Sequence, residues 1–316
     1  MINRRDLLKI GAAAIAGLAV KKGSAAETMA VKPASPMPER NLGRTGYPVR
    51  IFALGGQAAL EKPDNFERAV PIIEKAIDLG VNYLDTAARY GGSARWSEQY
   101  LGQVMKRRRG EVFLASKTHD RTRDGSMKVL ERSFELLQTD HLDLWQLHNL
   151  TTMDDVLRIF AKGGAIEALT AAREQKLVNY LGITGHADPD VLIEAAKRFP
   201  FDTILLALNA ADKYRLPFAE KLLPLAVEKQ MGIIGMKIPG RGRLLAGKIT
   251  MNEALRYVLT LPVSTVIVGC DTIAQLEENV TIAKEFTPMS ATQMAGLETR
   301  AEPVHKDALF FRRWDA

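Results

Sequence analysis

Eight short apolar runs recur along the chain: VRIFALGG, NYLDT, VFLASK, LDLWQLH, YLGITG, TILLALN, GIIGMK and STVIVGC. Each is bounded by turn residues and rich in Val, Ile and Leu, the pattern of strands buried on both faces in a parallel sheet. Between them lie FERAVPIIEKAIDLG, MKVLERSFELLQ, AIEALTAAREQKL, DPDVLIEAAKRF, PFAEKLLPLAVEKQ and MNEALRYVLTL, whose apolar residues return every three or four positions, as in amphipathic helices. Eight such units over roughly 270 residues predict an α/β fold, a single-domain (β/α)8 TIM barrel, which typically takes about 250 residues. A doubly wound open sheet is the alternative. It needs a glycine-rich phosphate turn after the first strand, and LGGQAAL lacks the G-x-G-x-x-G spacing.

The N-terminus does not fit the repeat. MINRRDLLKIGAAAIAGLAV has a basic start and an apolar run from Ile10 to Val20, followed by the small residues Ser24, Ala25 and Ala26 suited to cleavage. Those eleven apolar residues fall well short of the roughly 20 needed to span a bilayer, which predicts a cleavable signal peptide over 1–26. Arg4-Arg5 followed by Asp-Leu-Leu-Lys resembles the twin-arginine signal, so export machinery of that type is an expected partner and the periplasm the expected location. A disordered basic tail or a retained anchor is the other reading. Residues 27–40, with three prolines, read as a linker, and the barrel is expected over 41–316.

The leader also accounts for the charge. The whole chain is +6, but residues 1–26 hold five basic groups and one acid, leaving +2 for the rest. Nothing in that balance calls for nucleic acid or a stable membrane association. The run Lys106-Arg107-Arg108-Arg109 reads as a solvated helix end favoured by the helix dipole. Cys270 is the one cysteine, so an intrachain disulfide, a multi-thiolate zinc cage and an iron–sulfur cluster are excluded, and no metal site is expected.

Candidate chemistry sits at the ends of three successive runs: Asp85 and Tyr90 in NYLDTAARYG, Lys117 in VFLASKT, His148 in LDLWQLHN. Each has an ordinary structural reading. Asp85 could cap a turn and Tyr90 anchor a loop, and His148 could be a plain strand end. Lys117 is harder to dismiss, because a buried ammonium is costly without a partner. In a barrel the C-terminal strand ends converge, and the four together make a proton-donating site for a carbonyl oxygen. A tyrosine of pKa about 10 is a weak acid near neutrality. The expectation is that the Lys117 ammonium lowers it, that Asp85 holds the ammonium, and that His148 orients the substrate oxygen.

From about Arg40 onward the chain resembles the aldo-keto reductase family, in NLGRTGYPVRIFALGG, LDTAARYGGSARWSEQYLGQVM, VFLASKT, LDLWQLHN, LGITGH, PGRGRLL and VIVGCDTIAQLEENV. The resemblance implies that Asp85, Tyr90, Lys117 and His148 are a catalytic tetrad with Tyr90 as the acid. It further implies NADP or NAD as cofactor, extended across the barrel mouth, and a small carbonyl or alcohol as substrate. Gly56, Thr184, Asn209, Met236, Lys237, Arg241, Glu278 and Asn279 are the residues it assigns to the nucleotide. Several of these depart from the usual cradle. Thr184-Gly185 replaces Ser-Asn, Leu205 replaces a glutamine, Met236 replaces the stacking aromatic, and Lys237 replaces a small polar residue. The loop from Gly269 to Gln275 lacks the basic residues that commonly pair with a 2′-phosphate. Arg241 and Arg243 could supply that charge, or be simply solvated.

Two functions follow. One is NAD(P)H-dependent reduction of an aldehyde or ketone, or its reverse. The other is a non-turnover nucleotide-binding barrel serving as a redox sensor or partner subunit. A Schiff-base role for Lys117 is weaker, since Asp85 beside it keeps the amine protonated. The His119–Gly125 stretch and the C-terminal ALFFRRWDA are expected to set specificity, with no code that names the substrate.

Overall fold

The computed structural model describes residues 36–313, beginning with an antiparallel hairpin of β1 (Glu39–Asn41) and β2 (Pro48–Arg50). The leader (1–26), linker residues 27–35 and residues 314–316 lie outside the described residues. Glu39 and Arg40, read as the end of the linker, are part of the hairpin. Its turn presses onto the N-terminal ends of later strands. A Cβ on Gly43, at φ +54°, would lie 2.1 Å from the Gly232 nitrogen, so only glycine fits there. The Arg44 N–H donates to the Gln230 carbonyl at 2.9 Å, and the Tyr180 hydroxyl to the Thr45 carbonyl at 3.0 Å.

The apolar runs form the barrel: β3 (Phe52–Gly55), β4 (Tyr83–Asp85), β5 (Phe113–Thr118), β6 (Leu142–Leu147), β7 (Val178–Gly185), β8 (Thr203–Ala207), β9 (Gly232–Met236) and β10 (Thr265–Val268). All pair in parallel, and β10 closes on both β9 and β3. VRIFALGG is two strands, divided at Ile51, because its first half belongs to the hairpin. Helices α1 (Phe66–Asp78), α2 (Trp96–Arg108), α3 (Arg123–Leu137), α4 (Met153–Phe160), α5 (Ala165–Glu174) and α6 (Pro189–Arg198) connect the first strands. PFAEKLLPLAVEKQ gives two short helices, α7 (Phe218–Lys221) and α8 (Leu223–Glu228), because Pro224 has no N–H to continue the first. Then come α9 (Met251–Thr260), α10 (Ile273–Lys284), α11 (Ala291–Ala301) and α12 (His305–Ala308). Among the described residues no helix is long and apolar enough to cross a membrane.

Register sets up the site. Asp85 pairs with Ala115, and Lys117 with Gln146. Side chains two apart share a face of a strand, so Asp85, Ala115 and Lys117 share one face, as do Lys117, Gln146 and His148. Each successive strand therefore carries its polar group two residues further toward the C-terminal mouth.

Candidate active site

Tyr90 lies five residues beyond Asp85, on the turn after β4. Gly91 (φ +86°) lets that turn close, since a Cβ there would lie 2.6 Å from the Trp96 nitrogen. Lys117 and Asp85 are buried and joined, with the Lys117 Nζ donating to Asp85 Oδ2 at 2.5 Å and to the Thr86 carbonyl at 2.7 Å. The Tyr90 ring centroid is 5.1 Å from that Nζ and 5.7 Å from the His148 ring, which meets it edge-on at 84°. His148 follows β6 directly, and its backbone N–H donates to the Thr118 carbonyl at 2.8 Å. The four predicted groups do meet.

Their electrostatics differ in one respect from expectation. Burial pushes the Tyr90 phenol well above its usual range, and the nearby Asp85 carboxylate adds to the rise. The opposing cation is Arg241, not Lys117, whose ammonium is turned toward Asp85. The anticipated lowering is therefore absent, and Tyr90 stands as a neutral phenol. Burial also drives the Lys117 ammonium down and the Asp85 carboxyl up, each opposed by the other's charge. His148 is held neutral by burial first, and then by Lys117 and His186. Behind the strand that carries Lys117 lies a group with no motif to flag it. Buried Glu98 on α2 accepts from the Ser116 hydroxyl at 2.8 Å, and Arg95 reaches its other oxygen at 3.5 Å.

Two clefts meet at Tyr90. The first, about 520 Å³, runs from Asp85 and Tyr90 past Met236, Lys237 and Arg241 to Glu278 and Asn279. Its walls are close backbone: Cβ atoms would strike Asp85 O at 2.7 Å from Gly56 and Gln57 O at 2.9 Å from Gly269. A groove of this size, with glycine walls and the start of α10 at its far end, fits an extended dinucleotide with its anionic groups near a helix N-terminus. Gly56, Met236, Lys237, Arg241, Glu278 and Asn279 all line it.

Thr184 and Asn209 line neither cleft. The Thr184 hydroxyl accepts from the Asn149 N–H at 2.7 Å; Asn209 donates to the Lys237 carbonyl at 3.2 Å and accepts from the Ala211 N–H at 2.9 Å. Backbone groups of the adjacent loops take the polar side chains that the resemblance assigned to a nucleotide. Arg243 is also withdrawn, its guanidinium 3.9 Å over the Phe310 ring. Lys237, at φ +61°, donates to Gln57 Oε1 at 2.8 Å, and burial, with Arg241 adding, pushes its ammonium down to about 7. A cation that sequence reasoning missed stands at the far end: Lys62, paired with Asp271 at 2.6 Å across the groove. It follows the first barrel strand by seven residues, too far for any motif to mark it.

The second cleft, about 670 Å³, opens on the other side of Tyr90, over His148, His119 and His186. Arg121 shapes its floor. It pairs with Asp155 at 2.7 Å and donates to the His148 and Asn149 carbonyls at 3.0 Å. His186 Nδ1 lies 2.6 Å from Asn149 Oδ1. The C-terminal segment braces this wall, since buried Arg312 pairs with buried Asp212 and donates to the His186 carbonyl at 2.6 Å.

Comparison with known proteins agrees with this geometry. Residues 52–254, well over half the chain, match the model of the Aldo/keto reductase family. The chain is 28% identical over 296 residues to the uncharacterized oxidoreductase YqkF of Bacillus subtilis, covering 78% of this chain and 91% of that protein. It is 26% identical over 313 residues to the L-galactose dehydrogenase of Arabidopsis thaliana, covering 84% and 94%. Among solved structures, the holo form of aldo-keto reductase AKR11C1 from Bacillus halodurans superimposes with a TM-score of 0.72 at 26% identity, covering 84% of this chain and 96% of that one. The chain belongs to the aldo/keto reductase family and is an NAD(P)-dependent oxidoreductase acting on carbonyl groups.

Proposed function

We propose that Tyr90 is the proton donor in this reduction and that the first cleft holds the nucleotide while the second holds the carbonyl compound. The observation that carries the assignment is the position of the phenol, between the two clefts and beside the buried Lys117–Asp85 pair. A reduced nicotinamide, when bound, supplies the hydride. His148, neutral, donates a hydrogen bond that orients the carbonyl oxygen. Tyr90, fully protonated at neutral pH, gives up its proton as negative charge builds on that oxygen. An alkoxide is a stronger base than a phenolate, so the transfer runs downhill even from a raised phenol. Arg241, the cation that opposes the rise in the Tyr90 pKa, is the group placed to stabilise the phenolate as it forms. Replacing Tyr90 by Phe should lower carbonyl reduction by about 10²–10⁴-fold, the usual worth of general-acid catalysis, with nucleotide affinity retained. Wild-type turnover of a good aldehyde by that variant, followed at 340 nm, would exclude the role.

The complete tetrad favours turnover over a nucleotide-binding barrel that serves only as sensor or subunit. The relative named for L-galactose supports a hydroxylated aldehyde or its hemiacetal as one substrate to try. We read residues 1–26 as a twin-arginine leader that delivers the folded protein to the periplasm. That route suits an enzyme needing a dinucleotide loaded in the cytoplasm, and its support is Arg4-Arg5 before a short apolar run.

A further inference from the structure

The substrate cleft carries more positive charge than its own fold uses. Arg121 is neutralised by Asp155, and Arg241 lies 3.3 Å from Glu61. Asp120 is turned to the start of α3, where both the Thr122 N–H and hydroxyl donate to its Oδ1, at 2.7 and 2.6 Å. Two guanidiniums remain. Arg89, next to Tyr90, and Arg158, on α4, both line the cleft, and neither is in an ion pair or side-chain hydrogen bond among the described residues. Neither reaches the nucleotide groove, whose lining includes neither residue. The surplus is felt inside. His119, whose Nδ1 is buried and unpartnered among the described residues, is depressed by burial first, and then by Arg89, Arg95 and Arg121. His186 is depressed by burial and then by Lys237 and Arg312. Three imidazoles held neutral in one cleft leave ring nitrogens able to hydrogen-bond without adding charge.

We propose that the carbonyl substrate bears an anionic group, a carboxylate or phosphate, at the end remote from its carbonyl, and that Arg89 and Arg158 bind it. This rests on the assignment of the second cleft to the carbonyl compound. Guanidiniums present paired N–H donors matched to carboxylate and phosphate oxygens. Arg89 and Arg158 line the same cleft as Tyr90, so an anion held by them leaves the carbonyl at the other end of the molecule to meet the phenol.

The test uses matched pairs with the nucleotide-loaded protein: 4-oxobutanoate against its methyl ester, and glyceraldehyde 3-phosphate against glyceraldehyde. At least one anionic member should exceed its neutral partner in kcat/KM by about tenfold or more, with the ratio shrinking as salt rises. Which pair responds tells carboxylate from phosphate. Arg89→Gln and Arg158→Gln should each reduce that ratio severalfold. Equal kcat/KM within both pairs, or a ratio untouched by both substitutions, overturns the proposal while leaving carbonyl reduction standing. If none of the four compounds turns over, it is the activity reading that has failed, and calorimetry decides the anion site. Succinate or inorganic phosphate binding to wild type and lost in Arg89→Gln supports it; no binding of either anion overturns it.

Discussion

Asp85→Asn is the sharpest test of the buried pair. The substitution keeps shape and an amide oxygen that can still accept from the Lys117 Nζ beside the Thr86 carbonyl at 2.7 Å, and removes only the negative charge. An ammonium with no exposed surface cannot recover solvation by turning outward. Breaking a buried pair from one side costs roughly 3–5 kcal/mol. A second route gives a similar ceiling: discharging a lysine of ordinary pKa near 10.4 at pH 7 costs about 4.6 kcal/mol. The sign of the pH dependence follows. In the variant the folded-state pKa of Lys117 falls further below its unfolded value, so the unfolded chain binds more protons between the two. Stability therefore rises with pH in that window, and the deficit relative to wild type narrows by up to about 1.4 kcal/mol per pH unit. Urea unfolding at pH 7 should show a midpoint lower by about 1 M or more, for a slope near 3 kcal/mol per molar, and at pH 9 the two proteins should lie closer. An equal deficit at both pH values would mean that the loss does not come from the uncompensated Lys117 charge. No deficit at all would refute the buried ion pair.

Because burial holds Tyr90 well above 10, kcat/KM for reduction should keep its acid form through pH 9; a loss near neutrality that tracks Tyr90 in a comparison with Tyr90→Phe would refute the neutral phenol. Asp271 occupies Lys62 at the end of the groove far from Tyr90, so Asp271→Asn should free that cation and shift preference toward NADP by up to about tenfold, read as the ratio of the two dissociation constants by calorimetry. An unchanged ratio would exclude Lys62 from 2′-phosphate recognition. Changing Arg4-Arg5 to Lys-Lys should leave uncleaved precursor in the cytoplasm, and normal periplasmic accumulation would point to a different leader or route.

The barrel was legible because each of its strands is a short run that must be buried on both faces, and only a parallel sheet covered by helices satisfies eight of them. The tetrad was legible for a related reason. A barrel sends the ends of consecutive strands to one mouth, so Asp85, Lys117 and His148 had to converge once the strands were identified, and Tyr90 follows one of them by five residues. Break points were readable only in part: Ile51 divides a continuous apolar run because the first half pairs with β1, whose residues Glu39-Arg40-Asn41 carry no apolar run to mark it as a strand. What the linear chain does not carry is how a polar side chain is spent. Thr184 and Asn209 sit at strand ends like the tetrad, yet neighbouring loop backbones claim their hydrogen bonds. Lys62 and Glu98 have no neighbours in sequence that mark them, and their roles arise from partners 209 and 18 residues away. The Tyr90 phenol likewise owes its raised pKa to the protein groups that desolvate it at the barrel mouth, to the nearby Asp85 and to the direction in which Lys117 points. Hydrophobic period is a local property and survives in one dimension; desolvation and hydrogen-bond choice depend on groups that meet only when the barrel closes.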